Sequence, residues 1–172
     1  MALLQLTRET PDDQIRMLLQ ATISQATAEF SPLQFQGEYP ESGFGITELR
    51  PKQLGLANNY WQMTVTTAFA NWVNKTLGTD VFVLITGVFN NSPDPSTTEI
   101  FPSANGKDLP YVNIEQLYST ALDAKGWFSK PFAIRPSNNI TIQAVGRAAQ
   151  TEALGLLGYA VAKRSYLITA AP

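Results

Sequence analysis

The chain has 172 residues, of which 44% are hydrophobic and 15% are charged, and its net charge is −2. This length suits one domain with its own hydrophobic core. The sequence contains no Cys and no His, which excludes thiol nucleophiles, Ser-His-Asp triads and the usual zinc sites. The small excess of acid argues against a nucleic-acid binder, because such a protein needs a basic surface to neutralise phosphates.

The first predicted element is an amphipathic helix. Thr10, Pro11 and Asp13 have the spacing of an N-cap, a first helical residue and a capping-box acid. One apolar stripe follows at intervals of three or four residues and consists of Ile15, Leu19, Ile23, Ala26 and Phe30. Such a stripe must be buried, either on an open end of the chain's own sheet or on a neighbouring subunit. The sequence leaves both alternatives open.

We therefore divide the chain into an N-terminal arm or helix over residues 1–35 and a β-domain over residues 36–172. The apolar segment at residues 1–6 is too short for a signal peptide and has no basic leader, so we expect synthesis in the cytoplasm without a signal peptide. No apolar run has the length of a membrane span.

Short strands dominate the predicted β-domain. Residues 44–49 predict one strand, and residues 61–69 predict a second with an apolar face and a Thr-lined face. Residues 71–80 predict a turn. The next segment, residues 81–89, is apolar on both faces, which is typical of a central strand covered on each side.

The second half of the chain adds one predicted helix, a brief strand at residues 99–101 and three longer strands, for a total of about eight. Residues 113–125 predict the helix, because apolar residues fall on one face and Gly126 follows as a C′ residue. Residues 130–135 predict an edge strand between two prolines. Residues 140–145 alternate apolar and polar side chains, and residues 154–162 form an apolar run close enough to pair with them as a wide hairpin. The fold class is therefore all-β with minor helices, an eight-stranded jelly-roll β-sandwich or barrel.

The sequence offers no recognisable chemistry. Glu38 and Glu41 lie in a loop without the alternating ligands of a calcium site. Gly155 and Gly158 lack the following helix and Lys of a phosphate loop. We predict no catalytic residues, no cofactor and no metal site, and hence no enzyme.

Aromatic and apolar side chains are the remaining candidates for binding. Trp and Tyr residues could stack on a sugar, contact a subunit, or belong to the core. The residues predicted for a subunit interface are Ile15, Leu19, Ile23, Phe30, Trp72 and Trp127. Two functions remain open on this basis: a self-assembling structural subunit, and a carbohydrate- or ligand-binding β-sandwich of lectin-like or receptor-binding type. The second predicts an exposed aromatic beside Asn or Asp groups in a concave site.

The segment from Arg135 to Tyr166, RPSNNITIQAVGRAAQTEALGLLGYAVAKRSY, resembles the terminal strands of jelly-roll virus coat proteins. In those strands a Pro/Asn turn leads to a strand, a short polar turn follows, and a Leu-Gly-Tyr-x-Val strand closes the sheet. With its length and its preceding helix, the chain resembles the small major capsid protein of tailless, internal-membrane-containing icosahedral bacteriophages of thermophilic hosts. The resemblance is specific over this segment and architectural elsewhere.

That resemblance implies a single vertical jelly roll without catalytic residues. It implies a homo-oligomer, a dimer or higher, that assembles with a larger second capsid protein into the shell of a virion. It also implies that contact with the internal membrane is at most indirect and that the subunit does not bind the nucleic acid.

Overall fold

The structure is a computed structural model that describes residues 5–38, 40–119 and 124–169. Strands dominate these residues. In chain order they are β1 (Leu6–Thr7), β2 (Phe35–Glu38), β3 (Phe44–Glu48), β4 (Met63–Val65), β5 (Ala70–Thr76), β6 (Val81–Asn90), β7 (Thr97–Ala104), β8 (Lys107–Asp108), β9 (Val112–Asn113), β10 (Lys125–Ile134), β11 (Asn139–Gly146), β12 (Gln150–Glu152) and β13 (Leu154–Lys163). The α-helices are α1 (Asp12–Glu29) and α2 (Arg164–Thr169), and two 3₁₀ turns lie at Pro51–Leu54 and Glu115–Ser119.

The described strands form two main sheets. The first has six strands in the order β1-β10-β6-β13-β3-β2, and the second has the order β5-β11-β7-β8 with β9 also beside β7. A separate pair joins β12 to β4. Apolar side chains from the inner faces of both sheets, such as Ile85 on β6 and Ile142 on β11, form one core. The protein is thus mainly β, in several sheets, with two helices.

The central strand β6 is buried on both sides, as its apolar sequence predicts. Val83 and Ile85 point into the core between the sheets. Phe82 and Leu84 point the other way, into a second apolar cluster beneath α1. All four are fully buried. The prediction for residues 81–89 is therefore confirmed.

Helix α1 lies across the outer face of the first sheet. Ala26 and Phe30 belong to the same cluster as Phe82, and the Phe30 ring meets the Phe44 ring edge-on with 5.4 Å between centroids. Leu19, Ala26 and Phe30 of the apolar stripe are thus covered by the chain's own sheet. The predicted cap is wrong by one residue, because Pro11 occupies the N-cap position and makes no side-chain cap. The division of the chain at residue 35 stays a prediction, although β1 and α1 both contact the first sheet.

The predicted hairpin between residues 140–145 and 154–162 is wrong. Both segments are strands, and the alternating burial of β11 confirms its predicted faces. However, β11 pairs with β5 and β7 in the second sheet, whereas β13 pairs with β6 and β3 in the first. The polar break between them crosses from one sheet to the other, and β12 lies within it.

Two further predictions fail because tertiary contacts override local pattern. The predicted helix over residues 113–125 is replaced by β9, the 3₁₀ turn at Glu115–Ser119 and the start of β10, and residues 120–123 lie outside the described residues. Ile114 and Leu117 are both buried, and their spacing of three suits a 3₁₀ turn as well as an α-helix. The predicted turn over residues 71–80 is also wrong in part, because residues 71–76 belong to strand β5. The described residues form thirteen strands, more than the eight expected, because several strands have only two or three residues.

The backbones of β13 and β6 approach each other closely at Gly158. The pairing of β13 with β6 shifts register between Leu157 and Gly158, and an added Cβ at Gly158 would overlap the carbonyl oxygen of Leu84. Backbone must therefore move to admit any side chain there. We expect Gly158→Ala to lower the free energy of unfolding by about 2 to 3 kcal/mol in urea denaturation.

Gly78 provides the matched control for that substitution. An added Cβ there would meet nothing closer than 3.9 Å, so Gly78→Ala should change stability by less than about 0.5 kcal/mol. Equal stability of the two variants would contradict the register shift at Gly158.

Candidate functional surfaces

The described residues contain one deeply buried carboxylate, Glu152. It is 1% exposed. Its oxygens accept hydrogen bonds from the Asn90 side chain at 2.6 Å, from the Ser96 backbone N–H at 2.6 Å, and from both the backbone N–H and the hydroxyl of Thr97. Gln150 adds another at 2.8 Å. Glu152 therefore ties β12 to the loop between β6 and β7.

These hydrogen bonds decide the ionisation of Glu152. Burial alone would raise the pKa of the carboxyl, but the bonds from Thr97, Asn90 and Gln150 outweigh burial and hold the pKa below its usual value. Nearby, the Tyr118 hydroxyl accepts from Asn90 and donates to the Thr97 carbonyl oxygen at 2.6 Å. Burial is the main cause that raises the pKa of Tyr118. The cluster therefore acts as a structural clamp that joins Glu152 to Asn90 and Thr97.

Sequence reasoning missed the role of Glu152 and did not single out this residue. One signal was present in the sequence. Glu152 is the only acidic residue after Asp123, and it stands in a short polar break between two apolar segments.

The outer face of the second sheet forms a continuous polar surface. Directly opposed residues on β5, β11 and β7 share this face, as Asn74, Thr141 and Ser103 do. We call this surface the polar face and define it by Asn71, Asn74, Thr76, Phe101, Ser103, Asn139, Thr141 and Gln143. None of these side chains is charged, and all are exposed or half-buried. Glu99 and Asp108 lie at its margins.

Hydrogen bonds between neighbouring side chains order the polar face. The Gln143 amide donates to the Asn71 side chain at 3.0 Å, across strands β11 and β5. The Asn139 amide donates to the Thr141 hydroxyl, also at 3.0 Å. The polar face is therefore pre-organised, because these side chains already hold fixed orientations.

An aromatic cluster lies at one end of the polar face and includes Phe101 from that face. The Tyr111 ring stacks on the Phe101 ring with 4.5 Å between centroids, and it meets the Phe69 ring at 5.5 Å. Tyr111 is 54% exposed and Phe69 is 40% exposed. Large aromatic side chains at this exposure favour contact with another molecule.

A cleft of about 260 Å³ opens on the outer side of the first sheet. It begins where the apolar cluster beneath α1 ends, since Tyr159 contacts that cluster and also lines the cleft. Further lining residues include Glu48, Thr86, Lys125, Trp127 and Leu157. The cleft is thus formed by β3, β13, β6 and β10, the strands at the centre of the first sheet.

The residues predicted for a subunit interface lie in different environments. Ile15, Phe30 and Trp72 are buried within the chain itself. Leu19 and Ile23 are half-buried on α1, and Trp127 is half-buried in the cleft. The subunit contact of these residues stays a prediction. The structure does not bring the six residues together in one surface.

Comparison with known proteins does not assign the chain to a family. No family model matches the chain. A search of curated proteins also finds no significant relative.

Two further properties concern the described residues. No three acidic side chains there come together as a metal-binding group. Neither helix in that part of the chain has the length and apolar character needed to cross a membrane.

Proposed function

We propose that the protein is a structural capsid subunit of jelly-roll type, which assembles laterally into an icosahedral shell through the polar face. The observation that carries the proposal is the polar face itself, a pre-organised and uncharged sheet surface bordered by exposed aromatics. The resemblance of residues 135–166 to the closing strands of coat proteins supports it independently.

The strand order supports a jelly roll. Take β3, β5, β6, β7, β9, β10, β11 and β13 as strands one to eight. Their neighbours then include the pairs one with eight, two with seven, three with six and four with five. This is the pairing produced when a long antiparallel hairpin of eight strands is wrapped around a core, as in jelly rolls. The remaining strands of the described residues are short and lie outside this set of eight; they are β1, β2, β4, β8 and β12.

The composition of the polar face suits a contact between subunits. Protein interfaces are depleted in charged residues and enriched in Tyr and Phe, while their rims stay polar. The polar face shares one of these features, because its central rows carry no charge and Glu99 and Asp108 lie at its margins. Since Asn71, Asn139 and Gln143 already make hydrogen bonds to neighbouring side chains, less side-chain entropy is lost when a neighbour covers them.

A charge placed at the centre of the polar face should block assembly. Thr141 lies between Asn74 and Ser103 in the middle of that face. A Lys at this position would have to be desolvated without a partner when a second subunit covers it. We expect Thr141→Lys to weaken self-association by at least about tenfold, measured by size-exclusion chromatography with light scattering.

Gln20→Lys on the exposed side of α1 introduces the same charge away from the polar face and should leave association unchanged. Circular dichroism should give the wild-type spectrum for both variants. A full-length protein that remains monomeric at high concentration, or equal association of the two variants, would reject the polar face as the contact. Electron microscopy of the concentrated protein, alone and with a second capsid protein, then tests for particles.

A further inference from the structure

Thr86 is an unusual residue in the centre of the first sheet. The register between β6 and β13 passes from Gly87 opposite Leu157 to Ile85 opposite Gly158, so Thr86 is an extra residue in a β-bulge. Bulges redirect a side chain relative to regular pairing. Thr86 lines the cleft and is 1% exposed, yet its hydroxyl makes no hydrogen bond within the described residues. A buried hydroxyl without a partner destabilises a fold by about 1 to 3 kcal/mol.

Aromatic and apolar side chains line the cleft beside Thr86. Trp127 on β10 and Leu157 on β13 lie opposite Gly87, which has no side chain between them. Tyr159 continues the cleft along β13 and stands opposite Glu48 on β3. Aromatic faces such as these pack well against the C–H face of a sugar ring.

The charges around the cleft favour a neutral ligand. Glu48 and Lys125 both line the cleft and are exposed, and they carry opposite charges. Their opposite charges leave the described lining of the cleft without a net charge, and each group can hydrogen-bond a hydroxyl group. The volume of about 260 Å³ lies just below the roughly 300 Å³ at which pockets for drug-sized ligands begin. One sugar ring is the size that this space suits.

From these observations we propose that the cleft binds one ring of a neutral saccharide, with a ligand hydroxyl bonded to Thr86 and the ring stacked on Trp127. The proposal is independent of the capsid proposal, because the cleft and the polar face lie on different sheets. A saccharide could therefore bind while neighbouring subunits cover the polar face.

Binding is tested with the methyl glycosides of glucose, mannose and N-acetylglucosamine. Each is titrated into the full-length protein, with tryptophan fluorescence and ¹H–¹⁵N NMR spectra as readouts. We expect saturable binding of at least one glycoside, with NMR shifts at Thr86, Gly87 and Trp127. Absence of saturable binding by all three, or shifts confined to other surfaces, would overturn the proposal.

Thr86→Val separates a binding role from a structural one. The variant keeps the shape of the side chain and removes the unpartnered hydroxyl, so the protein should be as stable as wild type or more stable. Affinity for the glycoside should nevertheless fall by about five- to tenfold. Trp127→Ala should abolish binding, and Thr141→Val, on the polar face, should bind as wild type does. Unchanged affinity of Thr86→Val for the glycoside would overturn the proposal. It would also be overturned if a second copy of the chain occupied the cleft and the glycosides did not displace that copy.

Discussion

Replacing Glu152 with Gln should lower the free energy of unfolding by about 3 kcal/mol at neutral pH. The substitution keeps the shape of the side chain but replaces one acceptor oxygen with an amide group that faces hydrogen-bond donors. The carboxylate accepts from Asn90, Ser96 and Thr97, and hydrogen bonds to a charged group contribute about 1.5 to 3 kcal/mol each. Urea denaturation followed by circular dichroism measures the change.

The loss should depend on pH in a definite direction. The pKa of Glu152 in the folded protein lies below its usual value, so its stabilising contribution is fully present above the unfolded pKa of roughly 4.3. It is lost as the pH falls through the folded pKa. The difference between wild type and Glu152→Gln should therefore shrink at acid pH.

Glu41→Gln is the control, because Glu41 is exposed and should change stability by less than about 0.5 kcal/mol. A Glu152→Gln variant as stable as Glu41→Gln, or one whose deficit is the same at acid and neutral pH, would contradict the structural role of this carboxylate.

Truncation before residue 36 should leave the β-domain unable to fold. The removed segment includes α1, which covers Phe44, Phe82, Leu84 and Val161. Each of these side chains is fully buried and contributes about 1.5 to 3 kcal/mol relative to full exposure. The stability of a whole domain is only about 5 to 15 kcal/mol. We expect the truncated protein to aggregate or to give no cooperative thermal transition.

A milder variant keeps this prediction measurable. Phe30→Ala removes one buried ring from beneath α1 and should destabilise the protein by about 3 to 4 kcal/mol. Met17→Ala, on the same helix but 70% exposed, should have an effect below about 0.5 kcal/mol. A truncated chain that is folded and monomeric would show instead that α1 is a detachable arm.

The elements that sequence reasoning located are those whose periodicity is set by burial. The alternation in β11 and the apolar run of β6 follow directly from how each strand faces the core. The apolar stripe of α1 was also predicted. The surface that covers it was not, because the spacing of apolar residues along a helix does not identify the surface they pack against. The structure places that surface within the chain.

The elements that escaped prediction depend on distant parts of the chain. β11 and β13 are close in sequence, yet they belong to different sheets. The cleft combines residues near positions 48, 86, 127 and 159, and the polar face combines β5, β7 and β11. Only the three-dimensional pairing of strands shows that these residues are neighbours.

The most direct test of assembly through the polar face uses the absence of native Cys. Thr141→Cys introduces a single thiol on that face, and Gln20→Cys introduces one on the exposed side of α1. The rate of maleimide labelling is measured for each variant in dilute and in concentrated protein. The capsid proposal predicts that the thiol at position 141 becomes protected on concentration while the thiol at position 20 stays reactive. Equal labelling of both thiols under both conditions would contradict it.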